Sequence, residues 1–217
     1  MMAVARRIVE GDAWTRSGTW SGLAFDVFLG GDVWGKTLGI IGFGRIGREM
    51  ARRALGFKMR VLYCSRNRAP VDIEKELRGE YMTFDELLAS SDFVSLHVPL
   101  LPTTRHLIGR EQFERMKRTA YLINTTRGPV VDETALVAAL EGSLIAGAGL
   151  DVYEQEPKVH PGLLGRKDVV LAPHIGSATV ETRTKMARVA VENVLAFFTG
   201  HRPPNALNNV VLNAPTT

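Results

Sequence analysis

A glycine-rich turn constrains this chain more than any other feature. The apolar run Thr37-Leu38-Gly39-Ile40-Ile41 leads directly into Gly42-Phe43-Gly44-Arg45-Ile46-Gly47. A helical pattern follows, with Ile46, Met50 and Ala54 on one stripe and Arg45, Arg48, Arg52 and Arg53 largely off it. The order is strand, tight turn, helix. Gly42 permits the turn, Gly44 lets backbone approach a pyrophosphate, and Gly47 lets helix and strand pack closely. The N-terminus of the helix then offers free N–H groups to phosphate. Outside this context a G-x-G-x-x-G is a weak signal, since many glycine-rich turns are only turns; within it, the pattern points to a dinucleotide.

From Lys36 onward, short apolar runs alternate with helical patterns. Strands are expected at Thr37–Ile41, Arg60–Cys64, Phe93–His97, Ala120–Asn124, Ile145–Asp151 and Val169–Ala172, and helices at Ile46–Leu55, Phe84–Ala89, Glu111–Met116 and Glu133–Glu141. Such alternation predicts a parallel sheet covered by helices on both faces. A last helix is expected over Val180–Phe198, with Ala187, Ala190, Val191, Val194, Leu195 and Phe198 on one stripe. Gly200 stops it, and Pro203-Pro204 prevents its resumption. Met1 to Gly11 reads as the end of a helix on the stripe Met2, Ala5, Ile8 and Val9. The segment that follows, to about Gly35, carries Trp14, Trp20, Phe25, Phe28 and Trp34 without a period. That aromatic density on a loop predicts an arm that packs on another subunit.

With 217 residues, 45% of them hydrophobic, the chain has enough material for a substantial core. Its 27 basic and 23 acidic side chains leave a net charge of only +4, and the arginines are scattered without aromatic interleaving. A solvated surface that also meets a phosphorylated cofactor explains them better than a nucleic-acid patch does. Cys64 is the one cysteine, so no intrachain disulfide can form, and it reads as a small filler at a strand end. No apolar run is long enough for a membrane span, and Arg6 and Arg7 interrupt any signal-like stretch. The expectation is a cytoplasmic protein with neither a nucleic-acid nor a membrane partner.

The second strand ends in Tyr63-Cys64-Ser65-Arg66-Asn67-Arg68, with no carboxylate before Asp72. An NAD site usually places an acidic residue about 20 positions beyond the glycines to take the ribose 2′-hydroxyl. A hydroxyl followed by two guanidinium groups suits a 2′-phosphate instead, which predicts NADP in preference to NAD. The alternative is an ordinary basic surface turn.

In open parallel sheets, ligands bind beyond the carboxyl ends of the strands. Three ionisable residues stand just after strand candidates: Arg127 in I-N-T-T-R-G-P, Glu156 in L-D-V-Y-E-Q-E-P and His174 in A-P-H-I-G-S-A-T. Together they have the chemistry to reduce a 2-oxo acid. A guanidinium binds the carboxylate and polarises the carbonyl, and a histidine oriented by a glutamate protonates the developing alkoxide. Each also has a plainer role, as a surface ion pair, a turn residue and a helix cap. Spacing does not choose between His174 and His97, His106, His160 or His201, nor between Glu156 and Glu154.

These segments, with S-D-F-V-S-L-H-V-P-L from Ser91 to Leu100 and I-N-T-T-R-G-P-V-V-D-E from Ile123 to Glu133, cover nearly the whole chain. The chain resembles the D-isomer-specific 2-hydroxyacid dehydrogenases, and within them the glyoxylate/hydroxypyruvate reductases. The resemblance implies an α/β fold: a Rossmann-type doubly wound parallel sheet with an N-terminal dimerisation arm (1–35), a cofactor domain (36–180), and a long C-terminal helix and tail (181–217). It implies Arg127 as the substrate-binding residue and Glu156 with His174 as the proton-delivering pair. It further implies cofactor contacts at Gly42, Gly44, Arg45, Ile46 and Gly47, at Ser65, Arg66 and Arg68, at Val98, Pro99 and Thr104, at Thr125 and Thr126, and at Asp151, His174 and Gly176. A homodimer acting on a small 2-oxo or 2-hydroxy acid is implied, with no metal.

Proteins of this family carry a substrate-binding domain of about a hundred residues ahead of the helix with which this chain begins. Met1 to Arg7 reads as the interior of that helix. The expectation is therefore the cofactor-binding part of a reductase that lacks half its cleft. The alternative is a non-catalytic nucleotide-binding scaffold resembling the NAD(H)-sensing corepressors related to this family.

Overall fold

The computed structural model describes residues 1–208. The chain divides into two compact units, one running through His174 and the other starting at Ile175. In order, the first unit contains α1 (Met2–Ala5), α2 (Ile8–Arg16), β1 (Thr37–Ile41), α3 (Arg45–Gly56), β2 (Arg60–Cys64), α4 (Val71–Leu77), β3 (Gly79–Tyr81), α5 (Phe84–Ser90), β4 (Phe93–Leu96), α6 (Arg110–Arg115), β5 (Tyr121–Asn124), α7 (Glu133–Glu141), β6 (Gly147–Leu150), α8 (Pro161–Leu164) and β7 (Val169–Leu171). The second unit contains α9 (Val180–Phe198).

All seven strands pair in parallel in the order β3-β2-β1-β4-β5-β6-β7. This is the doubly wound Rossmann-type sheet, and its order reverses between β1 and β4. Side chains alternate across the sheet as the pleat requires. Leu38 and Ile40 of β1, Val61 and Tyr63 of β2 and Phe93 of β4 pack with Ala51 and Ala54 of α3 on one face. Ile41, Leu62, Val94 and Leu96 pack with Leu87, Leu88, Phe113 and Leu136 on the other. With both faces covered, the strands are continuous apolar runs, which is why they were readable in the sequence.

Several elements differ from the expectation. The first helix is two, broken where Arg7 adopts a left-handed conformation (φ 52°), and α2 continues to Arg16. Trp14 therefore lies on a helix. Its ring is 5.1 Å from that of Phe28, over which the Arg7 guanidinium also sits. The rest of the aromatic segment stays outside: Leu23 is 85% and Phe25 91% exposed. On α3 the buried stripe is Gly47, Ala51 and Ala54; Ile46 points outward because it belongs to the first turn, at the crevice mouth. β4 ends at Leu96 rather than His97, and β6 is confined to Gly147–Leu150.

The second unit begins with a loop and a capped helix, with the Thr179 hydroxyl accepting from the Thr182 N–H at 3.1 Å. Gly200, at φ 74°, follows the end of α9 as expected. Val191, Val194, Leu195 and Phe198 of the expected stripe are exposed. Asn193 and Asn205 exchange hydrogen bonds of 3.0 Å that fold the tail back on α9. Among the described residues, no helix is long and apolar enough to cross a membrane.

Candidate active site

The order reversal between β1 and β4 opens a crevice at the carboxyl ends of the strands, the usual ligand position in such sheets. Gly42 leaves β1 at φ 97°, and a Cβ there would lie 2.6 Å from the His97 carbonyl oxygen beyond β4. The turn therefore tolerates only glycine. Around it is a cavity of about 530 Å³ lined by Gly44, Arg45 and Ile46 of the turn, by His97 to Leu100 after β4, and by Thr125, Thr126 and Arg127 after β5. The volume lies within the ordinary range for cofactor sites, about 300–1,000 Å³.

The residues fit a nicotinamide dinucleotide. A Cβ on Gly44 would meet nothing within 4 Å, so backbone is open to a ligand at that point. The first turn of α3 has no side-chain cap, leaving its N–H groups available to phosphate. Of the expected rim residues, Val98, Pro99, Thr125 and Thr126 line the cavity. Thr104 instead braces its own loop, donating to the Pro99 carbonyl oxygen at 2.6 Å and accepting from the Leu101 N–H at 2.8 Å.

Past β2, the Ser65 hydroxyl donates to the Asn67 carbonyl oxygen at 2.6 Å. This loop is held from below by Tyr63, whose buried hydroxyl donates to Glu74 at 2.5 Å and accepts from the Ala69 N–H at 2.9 Å. Glu74 also takes both arms of the Arg68 guanidinium, at 2.9 and 3.0 Å. Those two contacts, Arg68 first, hold the Glu74 carboxyl below its ordinary value. Arg66 is exposed and makes no hydrogen bond or ion pair with the described residues.

The three ionisable residues sit on adjacent loops. Glu156 accepts the Tyr153 N–H on Oε1 at 3.0 Å, and its Oε2 lies 2.9 Å from His174 Nδ1. That contact, aided by the Tyr153 N–H and by the nearby Arg127 guanidinium, holds the Glu156 carboxyl below the usual carboxylate range. His174 adopts a left-handed backbone (φ 53°) fixed by its N–H bond to the Asp151 carbonyl oxygen at 3.0 Å. Such strain in a non-glycine residue concentrates at functional sites. Asp151 itself is 6% exposed at the end of β6. Gly176 lies in the second unit.

The other histidines are otherwise engaged. His106 Nε2 is 2.6 Å from Glu154, the competing glutamate. His160 caps α8 by accepting the Gly162 N–H on Nδ1. His97 is largely buried, which pushes its pKa down to about 4 and keeps it neutral; its Nε2 meets the Ser95 hydroxyl at 2.9 Å. His201 lies in the second unit, 3.1 Å from Thr199.

Two contributors were not found by sequence reasoning. Asn124, buried at the end of β5, accepts from the N–H and hydroxyl of Thr126 and donates to the Arg127 carbonyl oxygen, all within 3.0 Å. It sets the conformation of the Thr125–Arg127 loop. Tyr153 donates its hydroxyl to the Ala172 carbonyl oxygen at 2.8 Å, tying the Glu156 loop to the segment that carries His174. An amide after a buried strand was the only available signal for the first; nothing local signals the second.

Comparison with known proteins agrees with this geometry. Residues 1–176 match the family described as D-isomer specific 2-hydroxyacid dehydrogenase, NAD binding domain. The chain belongs to that family. It is 53% identical over 218 residues to a glyoxylate reductase of Thermococcus litoralis, covering 99% of this chain and 66% of that protein. It is 55% identical over 216 residues to a glyoxylate reductase of Korarchaeum cryptofilum, covering 98% and 64%. Among solved structures, the TT0316 protein from Thermus thermophilus superposes with a TM-score of 0.89 at 47% identity, covering 95% of this chain and 65% of that one. A glyoxylate reductase from Paecilomyes thermophila superposes with a TM-score of 0.83 at 44% identity, covering 90% and 58%. The chain thus spans between 58% and 66% of the length of these relatives.

Proposed function

We propose that this chain is the cofactor-binding part of a reductase that converts a small 2-oxo acid, glyoxylate or hydroxypyruvate, to the D-2-hydroxy acid with NADPH preferred over NADH. The observation that carries this reading is the 2.9 Å contact between Glu156 and His174, beside Arg127 at the rim of the dinucleotide crevice. The bound nicotinamide supplies the hydride. Arg127 pairs with the substrate carboxylate and polarises the carbonyl. His174 gives the proton on Nε2 to the carbonyl oxygen as it becomes an alkoxide, while Glu156 holds the Nδ1 proton and fixes the ring. Ser65 and the unpaired Arg66 support the NADP preference, since they stand where a carboxylate would repel the 2′-phosphate.

The exposed segment around Leu23, Phe25, Leu29 and Trp34 supports a homodimer in which a second copy covers it. The test is NADPH oxidation with glyoxylate and with hydroxypyruvate, run beside NADPH binding. Positioning carries much of the rate, so the 217-residue chain should bind NADPH and turn over slowly. Joined behind the first third of the Thermococcus litoralis relative, it should reduce glyoxylate readily. NADPH binding without turnover in that fusion would favour a nucleotide-binding scaffold.

A further inference from the structure

Leading into the Glu156 turn, Glu154 pairs with Glu133, and neither glutamate has a part in the chemistry proposed above. Glu133, the first residue of α7, is only 6% exposed. Its carboxylate accepts the Glu154 N–H at 2.7 Å. The buried group therefore anchors the start of the 154–160 loop, and Glu156 lies two residues further on. Glu154 returns the contact, accepting the Glu133 N–H at 3.4 Å, while its other oxygen meets His106 at 2.6 Å and Arg105 at 3.5 Å.

The same place is where the Arg127 loop touches the Glu156 loop. A Cβ on Gly128 would lie 1.8 Å from the Tyr153 carbonyl carbon and oxygen, so the two backbones are in direct contact. The 99–109 loop joins them: His106 donates its N–H to the Pro129 carbonyl oxygen at 2.8 Å, and Ile108 to that of Val130 at 3.1 Å. Three loops of the crevice rim thus meet at two carboxylates.

Resting on the reading of Glu156 and His174 as the proton-delivering pair, we propose that Glu133 is a positioning residue whose carboxylate anchors the loop at Glu154 and thereby holds Glu156 at hydrogen-bond distance from His174. An apolar residue of similar volume would fill the space without the cost of burying a carboxylate. What a carboxylate adds is a strong, charged acceptor for the N–H of a residue distant in sequence, Glu154. Burial raises the Glu133 carboxyl above its ordinary value, with Glu154 adding to the effect, so the group is held at an energetic cost. The charged and titratable groups around it are Glu154, Arg105, His106, Asp132, Lys158 and His160.

The test reads the Glu156 carboxyl directly, by carbon-detected NMR titration of the 217-residue chain. In the unaltered chain its midpoint should lie below the ordinary carboxylate range. In E133A the midpoint should rise into that range while the amide signals of β1 and α3 keep their positions. E133Q keeps only a neutral, weaker acceptor for the Glu154 N–H, so its midpoint should move part of the way. A purely structural role would lower the melting temperature without moving Glu156. The inference is overturned by a folded E133A chain whose Glu156 keeps the unaltered midpoint or, where E133A does not fold, by the same result in E133Q. An ordinary midpoint in the unaltered chain would remove the Glu156–His174 contact itself, and both readings with it.

Discussion

Replacing Ser65 with Asp should reverse the cofactor preference. Ser65 is the first residue beyond β2, half-buried, with its hydroxyl on the Asn67 carbonyl oxygen and the exposed, unpaired Arg66 next to it. Arg68 is already occupied by Glu74, so Ser65 and Arg66 are the groups left to meet a 2′-phosphate. Such a phosphate carries about 1.5–2 negative charges. At about 5 Å in a water-like dielectric each unit pair repels by about 0.8 kcal/mol, so an Asp carboxylate would weaken NADPH by about 1.2–1.7 kcal/mol, or roughly tenfold. A carboxylate accepting the ribose 2′-hydroxyl of NADH should gain about 1 kcal/mol, roughly fivefold. The ratio of the two affinities should therefore move by roughly 50-fold, with the repulsive part shrinking as salt is raised. Fluorescence titration of both cofactors at low and high salt measures this. A ratio unchanged by the substitution, or equal affinities in the unaltered chain, would refute the reasoning.

Arg127→Ala should raise KM for glyoxylate and lower kcat together, because one guanidinium binds the carboxylate and polarises the carbonyl; steady-state kinetics on the fusion would show it, and an unchanged KM would contradict it. Glu156→Gln should move the pH optimum for reduction downward. The carboxyl of Glu156, held low by its contact with His174, is ionised through the neutral range; a neutral amide removes that negative charge from beside the proton donor. An identical kcat/KM profile would argue against the pairing. Light scattering should show a dimer, and Phe25→Asp, at a position 91% exposed in the single chain, should shift it toward monomer; a monomer at high concentration in the unaltered chain would remove the proposed interface.

Much of the fold was legible because parallel strands buried on both faces leave continuous apolar runs, as in Thr37–Ile41 and Tyr121–Asn124. β3 was not, since Gly79-Glu80-Tyr81 is a three-residue edge with an exposed glutamate and no period to read. The break at Arg7 was equally silent, because a left-handed arginine is fixed by what surrounds it rather than by its own preference. In the site, Arg127, Glu156 and His174 stood out through their motifs, and the resemblance paired Glu156 with His174 where spacing did not; the pairing of Glu154 with His106 needed three dimensions. Asn124, Tyr153 and Glu133 act through bonds to backbone groups that lie elsewhere in the chain or fold back within a loop, and no spacing rule encodes those.

The proposed role of His174 is to deliver the proton in an NADPH-dependent reduction. Its most direct test is His174→Gln in the fusion with the Thermococcus litoralis first third, comparing glyoxylate turnover and NADPH binding. Turnover should fall by roughly 10²–10⁴-fold while NADPH affinity stays within about twofold. Turnover equal to that of the unaltered fusion would contradict the account.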